Sequence, residues 1–228
     1  WEIDRNLPPA ISPMIAAFIE TLGQTAVPSH CANPYAQGNR QNDIRRYNLQ
    51  LYLTQMTAWQ PKIMLVGKAP GYRGCRLSGI PFVSRTILQN GMENVALFGT
   101  QHGYQLVDEW PHIQKETSAT IMWQAIAAMQ PLPLLWNAFP FHPHQSDRPQ
   151  SNRKPTRPEL ALGEPFLRQL QQMFGQPLLV AVGNTAAAAL TAWQLPHHKV
   201  RHPSHGGKTQ FTNGLLTIAA EMCPPASF

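Results

Sequence analysis

The chain has 228 residues, enough to bury one substantial hydrophobic core, and we expect a single domain over residues 1–228. Its 18 Lys and Arg residues outnumber its 12 Asp and Glu residues, and the net charge of +6 favours a polyanionic partner such as nucleic acid over a role in solubility alone. The sequence lacks both a signal-peptide pattern and an apolar run of the roughly 18 residues needed to span a membrane, so we expect a cytoplasmic protein that does not bind membranes.

The three cysteines are Cys31, Cys75 and Cys223, which are widely spaced and form no CxxC pair. This spacing argues against a disulfide framework, a zinc site and an iron–sulfur cluster, and it fits a reducing compartment. We therefore expect neither a metal nor another cofactor.

Two helices are predicted in the first 58 residues, and we expect them to pack on the rest of the domain. Residues 9–22 repeat apolar side chains every three or four positions, with Ser12-Pro13 as the cap and first turn. A polar loop over residues 23–42 follows, and Asn42 or Asp43 can cap a second helix to about Ala58.

Residues 62–82 are predicted to form a buried strand and a ligand-binding loop. Ile63–Val66 form a short apolar run without alternation, which is typical of a parallel strand covered on both faces. The next sixteen residues contain four glycines and two prolines, so the loop has a fixed shape and lets a ligand approach its backbone. Its side chains suit a planar base and a phosphate, although an ordinary strand-to-helix turn is the alternative; they include Tyr72, Arg73, Arg76 and Phe82.

Strands alternate with helices in the rest of the chain. The predicted strands cover 132–137, 177–182 and 199–202, and the predicted helices cover 84–88, 117–129, 158–174, 184–194 and 209–221. Residues 90–116 have no regular pattern, and the basic segment 142–157 is either a flexible surface loop or an arm that contacts phosphates. The alternation predicts an α/β protein, a three-layer α/β/α sandwich with a central four-stranded, mostly parallel sheet.

Polar loops follow three of the predicted strands, and ligands of parallel sheets bind at this carboxyl edge. Phe82 can stack on a base, and Asn137 can pair with the Watson–Crick edge of that base. His202 can donate a hydrogen bond to a base carbonyl that gains negative charge as the glycosidic bond breaks. Their alternatives are a core Phe, a capping Asn and a structural His.

Five short motifs over about residues 60–210 resemble, in order and spacing, those of the uracil-DNA glycosylase superfamily. They are Gly67-Lys-Ala-Pro-Gly71, Gly79-Ile-Pro-Phe82, Trp136-Asn137, Asn152-Arg153-Lys-Pro155 and His202-Pro-Ser204. The resemblance implies a four-stranded parallel sheet between helices and metal-free hydrolysis of the bond between a flipped base and deoxyribose. It makes Phe82 the stacking residue, Asn137 the base-reading residue and His202 the residue that stabilises the leaving base.

The resemblance also indicates which residues contact the DNA backbone. Pro70, Gly71 and Ser204 match residues that compress the backbone around the flipped nucleotide. To the predicted base contacts we add Gly67 and Ala69, and to the predicted backbone contacts we add Arg73, Arg76, Arg153, Gly206 and Lys208.

Lys68 departs from the superfamily pattern, since relatives hold Glu, Asp or Asn there to position the attacking water. A lysine cannot act as that base unless its pKa is strongly lowered. Lys68 has three alternative interpretations: it anchors a phosphate, it is an introduced substitution, or it attacks the sugar as an amine nucleophile. Otherwise catalysis rests on His202, helped by His205, Tyr72 or an acid that the sequence does not place. The expected catalytic residues are therefore His202, Lys68 and Tyr72.

The expected activity is that of a monomeric, monofunctional DNA glycosylase that removes uracil or a modified pyrimidine and leaves an abasic site. One alternative is an anti-phage defence glycosylase that excises hypermodified cytosine, for example glucosylated hydroxymethylcytosine, because the long segments 90–116 and 142–157 can enclose a bulky base. The other is a catalytically inactive member of the fold that binds DNA, which the missing carboxylate permits.

Overall fold

A computed structural model of the chain describes residues 12–112, 115–204 and 206–222. Its strands are β1 (Cys31–Ala32), β2 (Ile63–Gly67), β3 (Leu134–Asn137), β4 (His142–Pro143), β5 (Leu178–Val182) and β6 (His197–Val200). Its α-helices are α1 (Pro13–Gln24), α2 (Arg40–Trp59), α3 (Cys75–Ser78), α4 (Arg85–Asn90), α5 (Thr117–Ile126), α6 (Arg157–Met173), α7 (Asn184–Ala192) and α8 (Lys208–Met222). Short 3-10 turns lie at Glu93–Val95 and Thr100–His102.

The central sheet has four parallel strands in the order β3-β2-β5-β6. The predicted α/β sandwich is thus confirmed, and every strand pair in this sheet is parallel. All residues of β2 and β3 are buried, as their continuous apolar sequences require. The sequence did not predict the small antiparallel ladder between β1 and β4, in which Cys31 pairs with Pro143. This ladder joins two segments predicted as loops.

The start of α2 and the end of α5 differ from their predicted positions. Asn39 accepts hydrogen bonds from the backbone N–H groups of Gln41 and Asn42, so α2 begins before the predicted caps. Glu116 precedes the first turn of α5, and that helix ends at Ile126 instead of Met129. The predicted start of the helix after the basic segment is close to the observed one, where Thr156 and Glu159 form a capping box.

One continuous hydrophobic core joins the N-terminal helices to the sheet and extends to α8. Phe18 of α1 packs against Trp136 of β3 and Phe166 of α6, with ring centroids 5.5 and 5.9 Å apart. Gly163 of α6 packs directly against the backbone of Ala138, the residue after β3. A Cβ at Gly163 would be only 1.8 Å from the Ala138 carbonyl oxygen. The core therefore holds α6 against the residue that follows Asn137.

Arg153 and Glu159 form an ion pair that ties the basic segment to α6. The Arg153 guanidinium donates to both carboxylate oxygens at 2.7 and 2.6 Å, and the backbone N–H of Thr156 donates to Oε2 at 2.7 Å. Arg153 holds the pKa of Glu159 at about 2, although burial opposes this shift. Arg153, predicted to contact DNA, thus has a partner within the protein, and the segment is anchored at this point.

Glu159→Gln is expected to lower the free energy of unfolding at neutral pH by roughly 3 kcal/mol, since it removes the carboxylate that neutralises the charge of a partly buried arginine. The folded-state pKa of about 2 lies below the ordinary value of 4.5, so the stabilisation is present above pH 4.5 and is lost as pH falls towards 2. Urea unfolding at pH 7 and pH 3 should therefore show a smaller difference between variant and wild type at pH 3. Glu164→Gln, which removes a more exposed pair with Arg168, is the control and should cost little. An equal loss at both pH values would contradict the assignment.

Candidate active site

A cleft of about 370 Å³ opens where β2 and β3 end. It brings together Phe82, Asn137 and His202, the three residues predicted to hold and release a base. Its lining also includes the predicted residues Lys68, Ala69, Pro70, Gly71, Arg153 and Ser204. The loops after three strands therefore converge in space, because the carboxyl ends of parallel strands share one edge of the sheet.

Phe82 and Asn137 enclose Gly67 at the end of β2. A Cβ on Gly67 would be 2.5 Å from Phe82 Cζ and 2.6 Å from Asn137 Oδ1, so only glycine fits at this position. Phe82 itself has a left-handed backbone with φ of 57°, which is uncommon for an aromatic residue and concentrates at functional sites. Its carbonyl accepts a hydrogen bond from Trp123 Nε1 at 3.1 Å, which holds this backbone in place.

Asn137 is buried at the end of β3, with 4% of its surface exposed. It pairs with Gly67 in the ladder between β2 and β3, and its side-chain Nδ2 lies 3.8 Å from Cys75 Sγ. A thiol is a weak acceptor, so this contact leaves the carboxamide with hydrogen-bonding capacity. Asn137 can therefore read the polar edge of a base that enters the cleft.

The strand predicted at 199–202 is observed at His197–Val200, two residues earlier. His202 therefore lies two residues after the end of β6. Its Nδ1 accepts a hydrogen bond from the backbone N–H of Ser204 at 3.2 Å and lies 2.7 Å from the Ser204 hydroxyl. An accepting Nδ1 places the proton of the neutral ring on Nε2, which is the donor that a base carbonyl requires. The neighbouring His205, also considered from sequence, lies outside the described residues.

Lys68 lies on the wall of the cleft, directly after β2. Burial lowers the pKa of its amine, and the nearby charge of Lys154 lowers it further. A lowered pKa favours the neutral amine that a nucleophile needs, whereas a phosphate anchor needs the ammonium form. The position of Lys68 in the cleft is compatible with either role.

Glu116 is a cleft residue that the sequence analysis did not find. It comes from the irregular segment before α5, and its Oε1 accepts a hydrogen bond from the Ser118 hydroxyl at 3.1 Å. Burial raises the pKa of this carboxyl group above its ordinary value of 4.5. No local motif marks Glu116, since the acid reaches the cleft only through the folding of the 90–116 segment. Cys75, Ser118 and Asn152 line the cleft as well.

Comparison with known proteins decides the family. The family model described as the Uracil DNA glycosylase superfamily matches residues 54–217. The chain belongs to this superfamily. The match confirms the resemblance drawn from the five motifs, and since superfamily members are DNA glycosylases, it supports a glycosylase-type activity on DNA.

The crystal structure of wild-type SMUG2 from Pedobacter heparinus is similar to this uracil-DNA glycosylase superfamily member, with a TM-score of 0.61. The alignment covers 92% of this chain and 97% of that chain, at 12% sequence identity. At this identity the likeness shows a shared fold and nothing finer. No curated protein sequence matches the chain.

Two predicted residues of this superfamily member, Tyr72 and Arg73, line a groove beside the cleft, and a third, Arg76, lies next to Trp110 of that groove. The Tyr72 ring packs against Trp110 with centroids 6.0 Å apart, and the Arg73 guanidinium lies 5.2 Å from the centre of the Tyr72 ring. Arg76 pairs with Glu109 at 2.9 Å and lies over Trp110. Tyr72 is therefore not among the described residues that line the cleft, and its catalytic role stays a prediction.

The remaining predicted backbone contacts, Gly206 and Lys208, also lie outside the lining of the cleft. Lys208 begins α8, and its ammonium group donates to Gln124 Oε1 at 3.1 Å. Within residues 12–112, 115–204 and 206–222, no three or more His, Cys, Asp or Glu side chains cluster so that they could hold a metal ion. Across the same ranges, no helix combines the length and the apolarity that crossing a membrane requires.

Proposed function

We propose that this superfamily member is a monofunctional DNA glycosylase, which hydrolyses the N-glycosidic bond of a flipped uracil or modified pyrimidine and leaves an abasic site. The observation that carries the proposal is the meeting of Phe82, Asn137 and His202 in one cleft. An aromatic face, a buried carboxamide and an imidazole N–H are the three groups needed to hold a flipped base and stabilise its departure.

The proposed roles follow from the chemistry of the leaving base. Phe82 stacks on the flipped base, and Asn137 binds its polar edge. Because Asn137 is buried, a base that cannot hydrogen-bond to it would leave a buried polar group unpaired, and binding that base would cost free energy. As the bond from C1′ to the base breaks, the electron pair moves onto the base, and its carbonyl oxygen gains negative charge. The Nε2–H of His202 donates to that oxygen and stabilises the developing anion.

The groove beside the cleft favours a second candidate, excision of a hypermodified cytosine in defence against phage. It has a volume of about 380 Å³, and its lining includes Tyr72, Trp110 and Gln150. It adjoins the cleft, because Tyr72 follows Gly71 in the chain and its backbone N–H donates to Asn152 at 2.9 Å. Aromatic rings with an apolar body and a polar edge suit a sugar attached to the base.

The deciding experiment measures base release from single- and double-stranded oligonucleotides that carry one uracil, hydroxymethylcytosine or glucosylated hydroxymethylcytosine. We expect strand breakage at the test base only after heating in alkali, which reveals an abasic site left by a monofunctional enzyme. Breakage before alkali, with a covalent adduct trapped by borohydride, would instead make Lys68 the nucleophile. Salt-sensitive DNA binding without base release would identify a binding protein and overturn the proposal.

A further inference from the structure

We propose that the Glu116 carboxylate positions the water molecule that attacks the sugar and accepts its proton. This inference rests on the proposed hydrolytic function and assigns the half of the reaction that His202 cannot perform. Departure of the base leaves an electron-poor C1′, and hydrolysis is complete only when a water oxygen bonds to that carbon. The residue that holds this water must lie in the same cleft as the base-binding side chains.

The composition of the cleft singles out Glu116. Of the described residues that line it, Glu116 alone carries a carboxyl group. Lys68, which follows β2 where an acid would stand in relatives, is a cation and does not accept a proton in its charged form. Among the described lining residues, Glu116 is therefore the one carboxylate, a group that can both hold a water molecule and take up its proton.

The Glu116 carboxyl group has unused hydrogen-bonding capacity. Within the described parts of the chain, Ser118 is the only hydrogen-bond partner of this group, at 3.1 Å, and no Lys or Arg forms an ion pair with it. An ionised carboxylate offers about four acceptor positions. Most of these positions are thus available to a ligand in the cleft.

The loop after β2 leaves space for this carboxyl group. A Cβ on Gly74 would be 1.6 Å from Glu116 Oε2, and a Cβ on Gly71 would be 3.0 Å from Oε1. Glu116 therefore reaches the Gly71–Gly74 turn, whose first residue lines the cleft. The acid from the 90–116 segment meets the first-motif loop, although about forty residues separate them in sequence.

The environment of Glu116 suits a base that works near neutral pH. Burial raises its pKa, so the carboxylate is a stronger base than an exposed one. In the proposed step, a water oxygen bonds to C1′ while the C1′–base bond breaks and its electron pair leaves with the base. One water proton passes to Glu116 and then to solvent, and the base anion takes up a proton after release, so the sum is hydrolysis.

If Glu116 served only to stabilise the fold, its replacement would lower the melting temperature. The proposal predicts the opposite. Because the folded-state pKa of Glu116 is raised, the folded protein binds this proton more tightly than the unfolded chain does, and the ionised group costs stability at higher pH. Glu116→Gln removes this cost while keeping the shape of the side chain. We therefore expect the variant to unfold at the same temperature as wild type or at a higher one at pH 7.5.

The test measures single-turnover base release, on the substrate that the wild-type protein cleaves best, between pH 5 and 9. We expect Glu116→Gln to slow release 100- to 10,000-fold and Glu116→Ala at least as much, with DNA affinity unchanged within about threefold. The wild-type rate should fall as pH drops through the raised pKa of Glu116, and this acidic limb should be absent in Glu116→Gln. Glu93→Gln, at an exposed glutamate, is the matched control and should behave as wild type.

Each outcome has one meaning. Loss of base release with unchanged thermal stability and a lost acidic limb supports the proposal, and partial activity of Glu116→Asp adds to it. If Glu116→Gln releases the base at the wild-type rate, the inference is wrong while the glycosylase assignment stands. If the variant loses activity only in proportion to a lower melting temperature, Glu116 is structural and the inference is likewise overturned. A wild-type protein that releases no base removes the proposed function itself.

Discussion

His202→Ala is expected to slow single-turnover base release by about 100- to 1000-fold, which is the usual cost of removing one donor that stabilises a developing anion. The structure supplies the reason: Ser204 donates to His202 Nδ1 at 3.2 Å, and this orients Nε2–H as the remaining ring donor. Rates measured with excess enzyme isolate the chemical step from product release. Binding to uncleaved DNA should change little, because the donor acts mainly on the charge that forms as the base departs.

The control for this prediction is His198→Ala, which removes an exposed histidine from β6. It should leave the rate within twofold of wild type. Equal rates for His202→Ala and wild type would show that leaving-group stabilisation comes from another residue. A parallel loss of DNA binding would instead indicate that His202 holds the substrate and not the transition state.

Gly163→Ala is expected to lower the free energy of unfolding by about 3 kcal/mol, the upper range for overpacking a core. The added Cβ would be 1.8 Å from the Ala138 carbonyl oxygen and 2.9 Å from its carbon, and both are backbone atoms that cannot rotate away. Alanine by itself favours a helix by about 1 kcal/mol over glycine, so the contact with Ala138 must outweigh that gain. Urea unfolding with a fixed m-value measures the difference.

Gly214→Ala is the matched control, since Gly214 also lies inside a helix. Its nearest neighbour would be the Val200 side chain at 3.2 Å, which can adjust, so we expect unchanged or slightly increased stability. Base release should also fall in Gly163→Ala, because α6 would be pushed from the residue that follows Asn137. Wild-type stability of Gly163→Ala would show that α6 can shift without cost.

The sheet was predictable because its signals are local. Ile63–Val66, Leu134–Leu135 and Leu178–Val182 are short apolar runs between polar loops, and the strands lie within a few residues of these positions. The fourth strand was misplaced by two residues because it lies at the edge of the sheet and exposes His198 and Lys199. An edge strand needs less apolar sequence, so its pattern is weak.

The meeting of Phe82, Asn137 and His202 in one cleft was also predictable, since Asn137 ends β3, His202 follows β6 and Phe82 closes the loop after β2. Parallel strands bring such positions to one edge whatever the intervening sequence is. Each motif that carries one of these residues is a short, unbroken stretch of sequence, and all of them lie within the superfamily match.

The amino-acid sequence by itself determined the strand–helix alternation, the superfamily and the three residues at the strand ends, because each depends on neighbours along the chain. Only the tertiary structure decided that Glu116 reaches the cleft, that Arg153 pairs with Glu159 and that Tyr72 packs against Trp110. These contacts depend on how the irregular 90–116 segment and the basic segment fold over the sheet. The contacts of Glu116 and Trp110 join residues about forty positions apart, whereas Arg153 and Glu159 are only six residues apart and pair where the basic segment enters α6. Contacts of both kinds leave no periodicity or motif in the sequence, because they depend on how irregular segments fold.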